Sequence, residues 1–287
     1  MQYDLTDMEV LRRLLARQGF TFSKALGQNF ITDPTVCPRM VSESGIGDAD
    51  GVLEIGPGVG VLTTELAKRA NKVVSLEVDA RLLPVLAKTL DEFRNTEVLN
   101  ADVMKTDLGA LLRTHFAPGQ RVFVCANLPY YITSPVITGL LESGLPFAGY
   151  TLMVQKEAAE RLCAKMGTRQ CGAVTALVDY YTEAEILFDV KKESFTPPPK
   201  VESAVIRLTP RPAPPVEVSD PQQFFKTVRA AFGHRRKTAA NALSQSLGLS
   251  REKAIEALRQ AGLAETARAE EITMEQFAAL SAALFGN

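Results

Sequence analysis

Four consecutive residues, Asn127-Leu128-Pro129-Tyr130, close an apolar run, RVFVCAN, that reads as a short buried strand. The amide oxygen of Asn127 and a backbone carbonyl fixed by the proline make two hydrogen-bond acceptors, and the tyrosine ring supplies a flat stacking face. Two acceptors beside a ring suit an exocyclic amino group on a planar heterocycle. A second cluster begins at Leu53-Glu54-Ile55-Gly56-Pro57-Gly58-Val59-Gly60, where an apolar run meets helical text. Such a glycine bend turns tightly and brings bare backbone amides against a nucleotide-like ligand. Its spacing is G-x-G-x-G, which is neither the dinucleotide fingerprint nor a phosphate-binding loop ending in G-K-[ST]. Glu77 lies 21 residues after Gly56, in the run VVSLEVD, where an acid can accept hydrogen bonds from two ribose hydroxyls. Asp102 ends the next run, VLNAD, within reach of an adenine amino group at the same sheet edge. The guest implied is a non-phosphorylated adenosine.

Metal chemistry is poorly served. Cys37, Cys125, Cys163 and Cys171 stand far apart without a C-x-x-C, and His115 and His234 are the only histidines. Free thiols and no bound metal are expected.

These residues need a scaffold that gathers strand ends. From Val52 onward the runs VLEI, VVSLEV, VLNA, RVFVCAN and YTLMVQ are separated by helical stretches such as LTTELAKRA and ARLLPVLAKTL. That is β-α-β repetition, hence an α/β fold with a parallel sheet covered on both faces, whose ligands bind beyond the carboxyl ends of the strands. Helical text returns in KEAAERLCAKM and GAVTALVDYY. EAEILFDV and SAVIRL then read as two strands flanking SFTPPPKVE, a late hairpin. At the start, T-x-x-E at Thr6 to Glu9 fits a capping box for an amphipathic helix, KALGQNF (residues 24–30) reads as a loop, and Asp33-Pro34 reads as a helix start.

Seven of the 16 prolines fall between Pro197 and Pro215, and TPRPAPP has the stiff, extended character of a linker. The chain of 287 residues is therefore expected to form a main domain over 1–212 and a helical domain over 213–287, with Gly248 and Gly262 stopping helices. The longest apolar candidate for a membrane helix, Leu140 to Val154, is interrupted by Glu142, Gly144, Pro146 and Gly149, and the start lacks a secretory core. A cytoplasmic protein without a membrane partner is expected.

The net charge of -1 and pI near 6.2 argue by themselves against a nucleic-acid partner. Between Pro221 and Arg251, however, Lys226, Arg229, Arg235, Arg236, Lys237 and Arg251 occur with no acid. Arg235, Arg236 and Lys237 are the strongest candidates for RNA phosphates, and Arg12, Arg13, Arg17, Lys24, Lys156, Arg161 and Lys165 could complete a rim.

KALGQNFITD, LEIGPGVGVLT, LEVD, NADVMK, NLPYYITSP, QKEAAERL, FTPPPKVESAV, FGHRRKTAANAL and RAEEITMEQF occur in order over nearly the whole chain. In this series the sequence resembles the small-subunit ribosomal RNA adenine N6-dimethyltransferase family of the KsgA/RsmA type, Rossmann-like enzymes that use S-adenosyl-L-methionine (SAM). The resemblance implies a seven-stranded sheet with an antiparallel last strand and a small C-terminal all-helical domain. Its implied substrate is two adjacent adenines in the 3'-terminal hairpin loop of 16S rRNA, within a pre-assembled small ribosomal subunit, dimethylated by a monomeric enzyme during ribosome biogenesis. It also implies Asn29, Ile31, Gly56, Glu77, Asp102 and Asn127 at the cofactor, Asn127 to Tyr130 at the target base, and Phe195 as a second stacking surface. Methyl transfer would then be direct, with no side-chain nucleophile. Two alternatives remain at this point. One is an Erm-type large-subunit rRNA methyltransferase, whose members usually read N-I-P-Y and are strongly basic. The other is a non-catalytic RNA-binding assembly factor.

Overall fold

A computed structural model of the protein describes residues 3–17, 19–20, 28–234 and 236–286. It divides into two compact units, Met1–Ala159 with Glu185–Pro210, and Glu160–Ala184 with Arg211–Asn287.

The elements of the first stretch, in chain order, are α1 (Met8–Arg17), β1 (Phe30–Ile31), α2 (Val36–Ser42), β2 (Gly51–Ile55), α3 (Val61–Arg69), β3 (Lys72–Glu77), α4 (Leu83–Thr89) and β4 (Thr96–Asn100). There follow α5 (Leu108–His115), β5 (Val122–Asn127), α6 (Thr133–Glu142), β6 (Phe147–Gln155), α7 (Lys156–Leu162), α8 (Ala173–Tyr181), β7 (Thr182–Val190), β8 (Phe195–Thr196) and β9 (Ser203–Pro210). The chain ends with α9 (Pro221–Phe232), α10 (Ala239–Leu247), α11 (Arg251–Gln260) and α12 (Met274–Phe285).

Seven strands form one sheet in the order β4-β3-β2-β5-β6-β9-β7. β4, β3, β2, β5 and β6 run parallel, and β9 lies antiparallel to β6. The parallel strands are nearly continuous apolar runs because both faces of such a sheet are covered, and every residue of β2 is buried. The chain leaves β2 toward β3 on one side and returns to β5 on the other, so a crevice opens between the carboxyl ends of β2 and β5. Ile55 pairs with Ala126 there, which sets Gly56 beside Asn127.

Several local expectations change once long-range partners are present. Phe30, read as part of a loop, is in β1, which pairs with β8 through Phe30 with Thr196 and Ile31 with Phe195. Residues 24–27 of the same segment lie outside the described residues. The capping box at Thr6 is replaced by Asp7, whose Oδ1 accepts the N–H groups of Glu9 at 2.7 Å and Val10 at 3.3 Å. Asp33 instead closes a turn by accepting from the Thr35 N–H at 2.9 Å, and the helix starts at Val36. α7 stops at Leu162 rather than running through Met166, and Asp102 lies two residues beyond the end of β4.

The second unit takes in residues 160–184, so the boundary near 212 read from the prolines does not separate the compact units. Aromatic packing explains the excursion. Tyr180 lies 5.5 Å from Phe224 and 5.2 Å from Phe225, and Tyr181 stacks on Phe225 at 5.7 Å between ring centroids. Arg211 reinforces the junction through Asp179, at 3.1 Å. Within α9 to α12, Gly248 and Gly262 adopt φ of 65° and 71°, the left-handed geometry that ends a helix.

Candidate functional site

Beyond the carboxyl ends of β2, β3 and β5 lies a cavity of about 360 Å³. Asn29, Ile31, Gly56, Glu77, Asp102, Asn127, Leu128, Pro129, Tyr130 and Phe195 all line it, so the first unit brings the expected site residues of the strand ends and the N-terminal segment to one place.

The glycine bend is required by its backbone. Gly56, Gly58 and Gly60 have φ of 70°, 60° and 97°, a region costly for residues with a Cβ. A Cβ on Gly58 would meet the Phe30 ring at 3.3 Å, and one on Gly60 would meet Thr89 Oγ1 at 3.1 Å. At Gly56 a Cβ would meet nothing within 4 Å among the described residues, which leaves space beside the bend.

Glu77 closes β3 and is tied to this bend. Its Oε2 accepts the Gly58 N–H at 3.2 Å and its Oε1 accepts the Asp79 N–H at 2.8 Å. Burial raises its carboxyl above the ordinary range, and the Asp79 and Gly58 amides oppose that rise. Each oxygen keeps acceptor capacity for hydroxyl donors. Asp79 is itself held by Arg81 at 2.6 Å and by the Gln28 side chain at 2.8 Å. Asp102 accepts the Met104 N–H at 3.0 Å and lies 3.6 Å from the Lys105 ammonium. An open bend, a buried carboxylate with spare lone pairs and a second acid along one wall fit an uncharged ribose and adenine better than a phosphate, which both acids would repel.

Asn127 is the last residue of β5. Its Nδ2 donates to the Asn29 carbonyl at 3.4 Å, which leaves Oδ1 as the acceptor end. Leu128 is 1% exposed, and its N–H donates to the Met153 carbonyl at 3.0 Å, so packing and a sheet bond fix the peptide that follows Asn127. Pro129 O accepts from the Ile132 N–H at 3.1 Å. Tyr130 is half-buried with its hydroxyl 2.8 Å from Ser203 Oγ on β9, and burial raises its pKa. Phe195 lines the cavity but is only 3% exposed, because β8 is held by β1.

Sequence reading passed over Glu54, the one acid inside the buried run VLEI. It is fully buried, and its Oε2 accepts from Ser75 Oγ at 2.6 Å and Thr63 Oγ1 at 2.7 Å. It thereby joins β2 to β3 and α3, the elements that carry the bend and Glu77. Among the described residues its Oε1 has no hydrogen-bond partner, and burial pushes its pKa up to about 7. A charged letter in an otherwise apolar strand was the available signal.

The basic residues distribute differently from the linear run. In the second unit a cavity of about 600 Å³ is lined by Arg161, Arg169, His234, Lys237 and Arg268 with Glu270. Lys237 also bonds Gln245. Lys226 instead faces the Phe285 ring at 5.6 Å, and Arg251 donates to Asn241 at 3.2 Å. Arg236 is exposed and Arg235 lies outside the described residues, as does Lys24. In the first unit Lys156 is paired with Asp189 at 2.6 Å. Arg169 and Arg268 went unnoticed because helix packing, and not proximity in the chain, brings them to Lys237.

Comparison with known proteins places the chain in a family. Residues 19–284 match the family model described as ribosomal RNA adenine dimethylase. The chain belongs to that family. Among curated relatives, the ribosomal RNA small subunit methyltransferase A of Geobacillus thermodenitrificans is 47% identical, covering 99% of this chain and 98% of the relative. The protein of the same name from Bacillus mycoides is 45% identical, covering 98% and 97%. Of solved structures, a dimethyladenosine transferase from Plasmodium falciparum aligns with a TM-score of 0.70 at 25% identity, over 88% of this chain and 95% of its own. The 23S rRNA methyltransferase ErmE aligns with a TM-score of 0.66 at 29% identity, over 89% and 99%. As a ribosomal RNA adenine dimethylase the protein is a methyltransferase acting on ribosomal RNA.

Proposed function

We propose that the protein uses SAM to dimethylate the N6 amino groups of two adjacent adenines in the 3'-terminal hairpin loop of 16S rRNA, within a pre-assembled small subunit. The observation that carries this reading is the convergence of the Glu77-tethered glycine bend and the Asn127-Leu128-Pro129-Tyr130 turn on one cavity.

SAM, when bound, supplies a methyl group made electrophilic by its sulfonium. Glu77 would accept the ribose hydroxyls, Asp102 the adenine amino group, and Asn29, Ile31 and the Gly56 bend would flank the remainder. The N6 amine of the target is a poor nucleophile because its lone pair is delocalised into the ring. Asn127 Oδ1 and the Leu128 carbonyl, accepting its two protons, would favour a pyramidal nitrogen and localise that pair. The rigid peptide at Leu128 supports this role, since an acceptor that is already placed costs no reorganisation during reaction. Tyr130 would hold the flipped base by stacking, with Phe195 behind it. Positioning of this kind needs no side-chain nucleophile.

The basic cavity of the second unit, together with Arg235, Arg236 and Lys237, would hold RNA phosphates. Small-subunit RNA is favoured over the large subunit by the two curated relatives at 45% and 47% identity, against 29% for ErmE. The protein would work as a monomer in the cytoplasm during ribosome biogenesis. Mapping N6,N6-dimethyladenine in small-subunit RNA from cells lacking the gene tests the reading. Loss of both adjacent marks is expected, and intact marks would defeat it.

A further inference from the structure

The exposed apolar side chains are not scattered. Among the described residues, three of the five exposed large hydrophobics, Val78, Met104 and Tyr131, line the cavity of the first unit. Tyr131 is the most open of them, at 60%. A ring so exposed contributes little to folding, and apolar surface gathered at the mouth of a site marks contact with a ligand.

Its support is stiff. Tyr130–Ile132 form a single 3-10 turn between β5 and α6. Pro129 O accepts the Ile132 N–H and lies 3.4 Å from Thr133 Oγ1, while Tyr130 is held at Ser203. With about three residues per turn, successive side chains of this helix point about 120° apart. Fixing Tyr130 on Ser203 therefore directs Tyr131 elsewhere, to the open side of the same mouth.

We propose that Tyr131 is a stacking platform for the nucleobase that flanks the target adenine. The inference rests on the function proposed above, since a base delivered on a polymer always brings a neighbour to the rim of its pocket. An uncharged aromatic ring suits that neighbour and not a phosphate. Every nucleobase presents a π-face, so the same platform serves whichever neighbour is presented, including either of two successive targets in turn. Tyr131 acts on substrate position and is not among the groups proposed to accept hydrogen bonds from N6.

The test is steady-state methyl transfer to small ribosomal subunits prepared from cells lacking the marks, comparing the parent protein with Tyr131→Ala, Tyr131→Leu and Tyr131→Phe, with the SAM affinity of each measured by calorimetry. Loss of one stacked base raises KM for the particle by about tenfold. Alanine and leucine should show that rise with kcat kept, and phenylalanine should restore the parent value. A normal KM for alanine, or rescue by leucine as complete as by phenylalanine, would overturn the platform. So would lost SAM affinity in the alanine variant, which would assign the ring to the cofactor. A parent protein unable to methylate the particles would sink the proposed function as well, and with it this inference.

Discussion

The carboxylate of Glu77 accepts the backbone N–H of Gly58 at 3.2 Å, so the acid proposed to hold the ribose also fixes the bend beside it. A hydrogen bond to a charged group is worth about 1.5–3 kcal/mol. Glu77→Ala should therefore weaken SAM binding by roughly 10- to 100-fold in isothermal calorimetry while the fold persists by circular dichroism. Unchanged affinity would remove Glu77 from the site.

The bend makes a separate demand. At Gly58, φ of 60° and the Phe30 ring 3.3 Å from a would-be Cβ leave no relaxed place for a side chain. Gly58→Ala should cost about 1–2 kcal/mol, read as a lower melting temperature, together with weaker SAM binding. A variant as stable as the parent would mean that the bend tolerates another backbone conformation.

Much of this fold was legible, and the reasons are physical. Buried parallel strands leave long apolar runs, so β2, β3, β5 and β6 announce themselves, and the glycine spacing marks a bend whose φ values only glycine adopts readily. Asn127 and Tyr130 stood out because they end a strand at a proline turn. Phe30 did not, since its partner Thr196 is far along the chain. α8 was legible as a helix, but its place in the second unit was not, since Tyr180 finds Phe224 only in the folded unit, and Arg169 meets Lys237 only around a shared cavity. Pairings made by tertiary packing carry no local periodicity.

Glu54 provides a pH test. Burial raises its pKa from an ordinary 4.5 to about 7 against the lowering effect of Ser75 and Thr63. Between those values the folded chain binds more protons at this site than the unfolded chain, so this contribution to stability is present at low pH and is lost as pH rises through about 7. The full loss is on the order of 3 kcal/mol. Glu54→Gln, neutral at every pH, should show less decline than the parent between pH 5 and pH 8 in urea unfolding. Parallel stability curves for the two proteins would contradict the raised pKa.

The segment proposed to bind RNA makes an electrostatic prediction. Replacing Arg235, Arg236 and Lys237 together by alanine should weaken binding to small subunits and flatten its logarithmic salt dependence by roughly two units. An unchanged slope would place the phosphates elsewhere.

Asn127 Oδ1 and the Leu128 carbonyl are proposed to prepare the adenine nitrogen, and Asn127→Ala separates that role from RNA binding. Removing one pre-placed polar partner of a transition state costs about 10²- to 10³-fold in kcat. Single-turnover methyl transfer to unmodified small subunits should fall by that factor while particle binding, measured by co-sedimentation, remains at the parent level. Parent-like methyl transfer by the alanine variant, or equal loss of transfer and particle binding, would remove Asn127 from the chemical step.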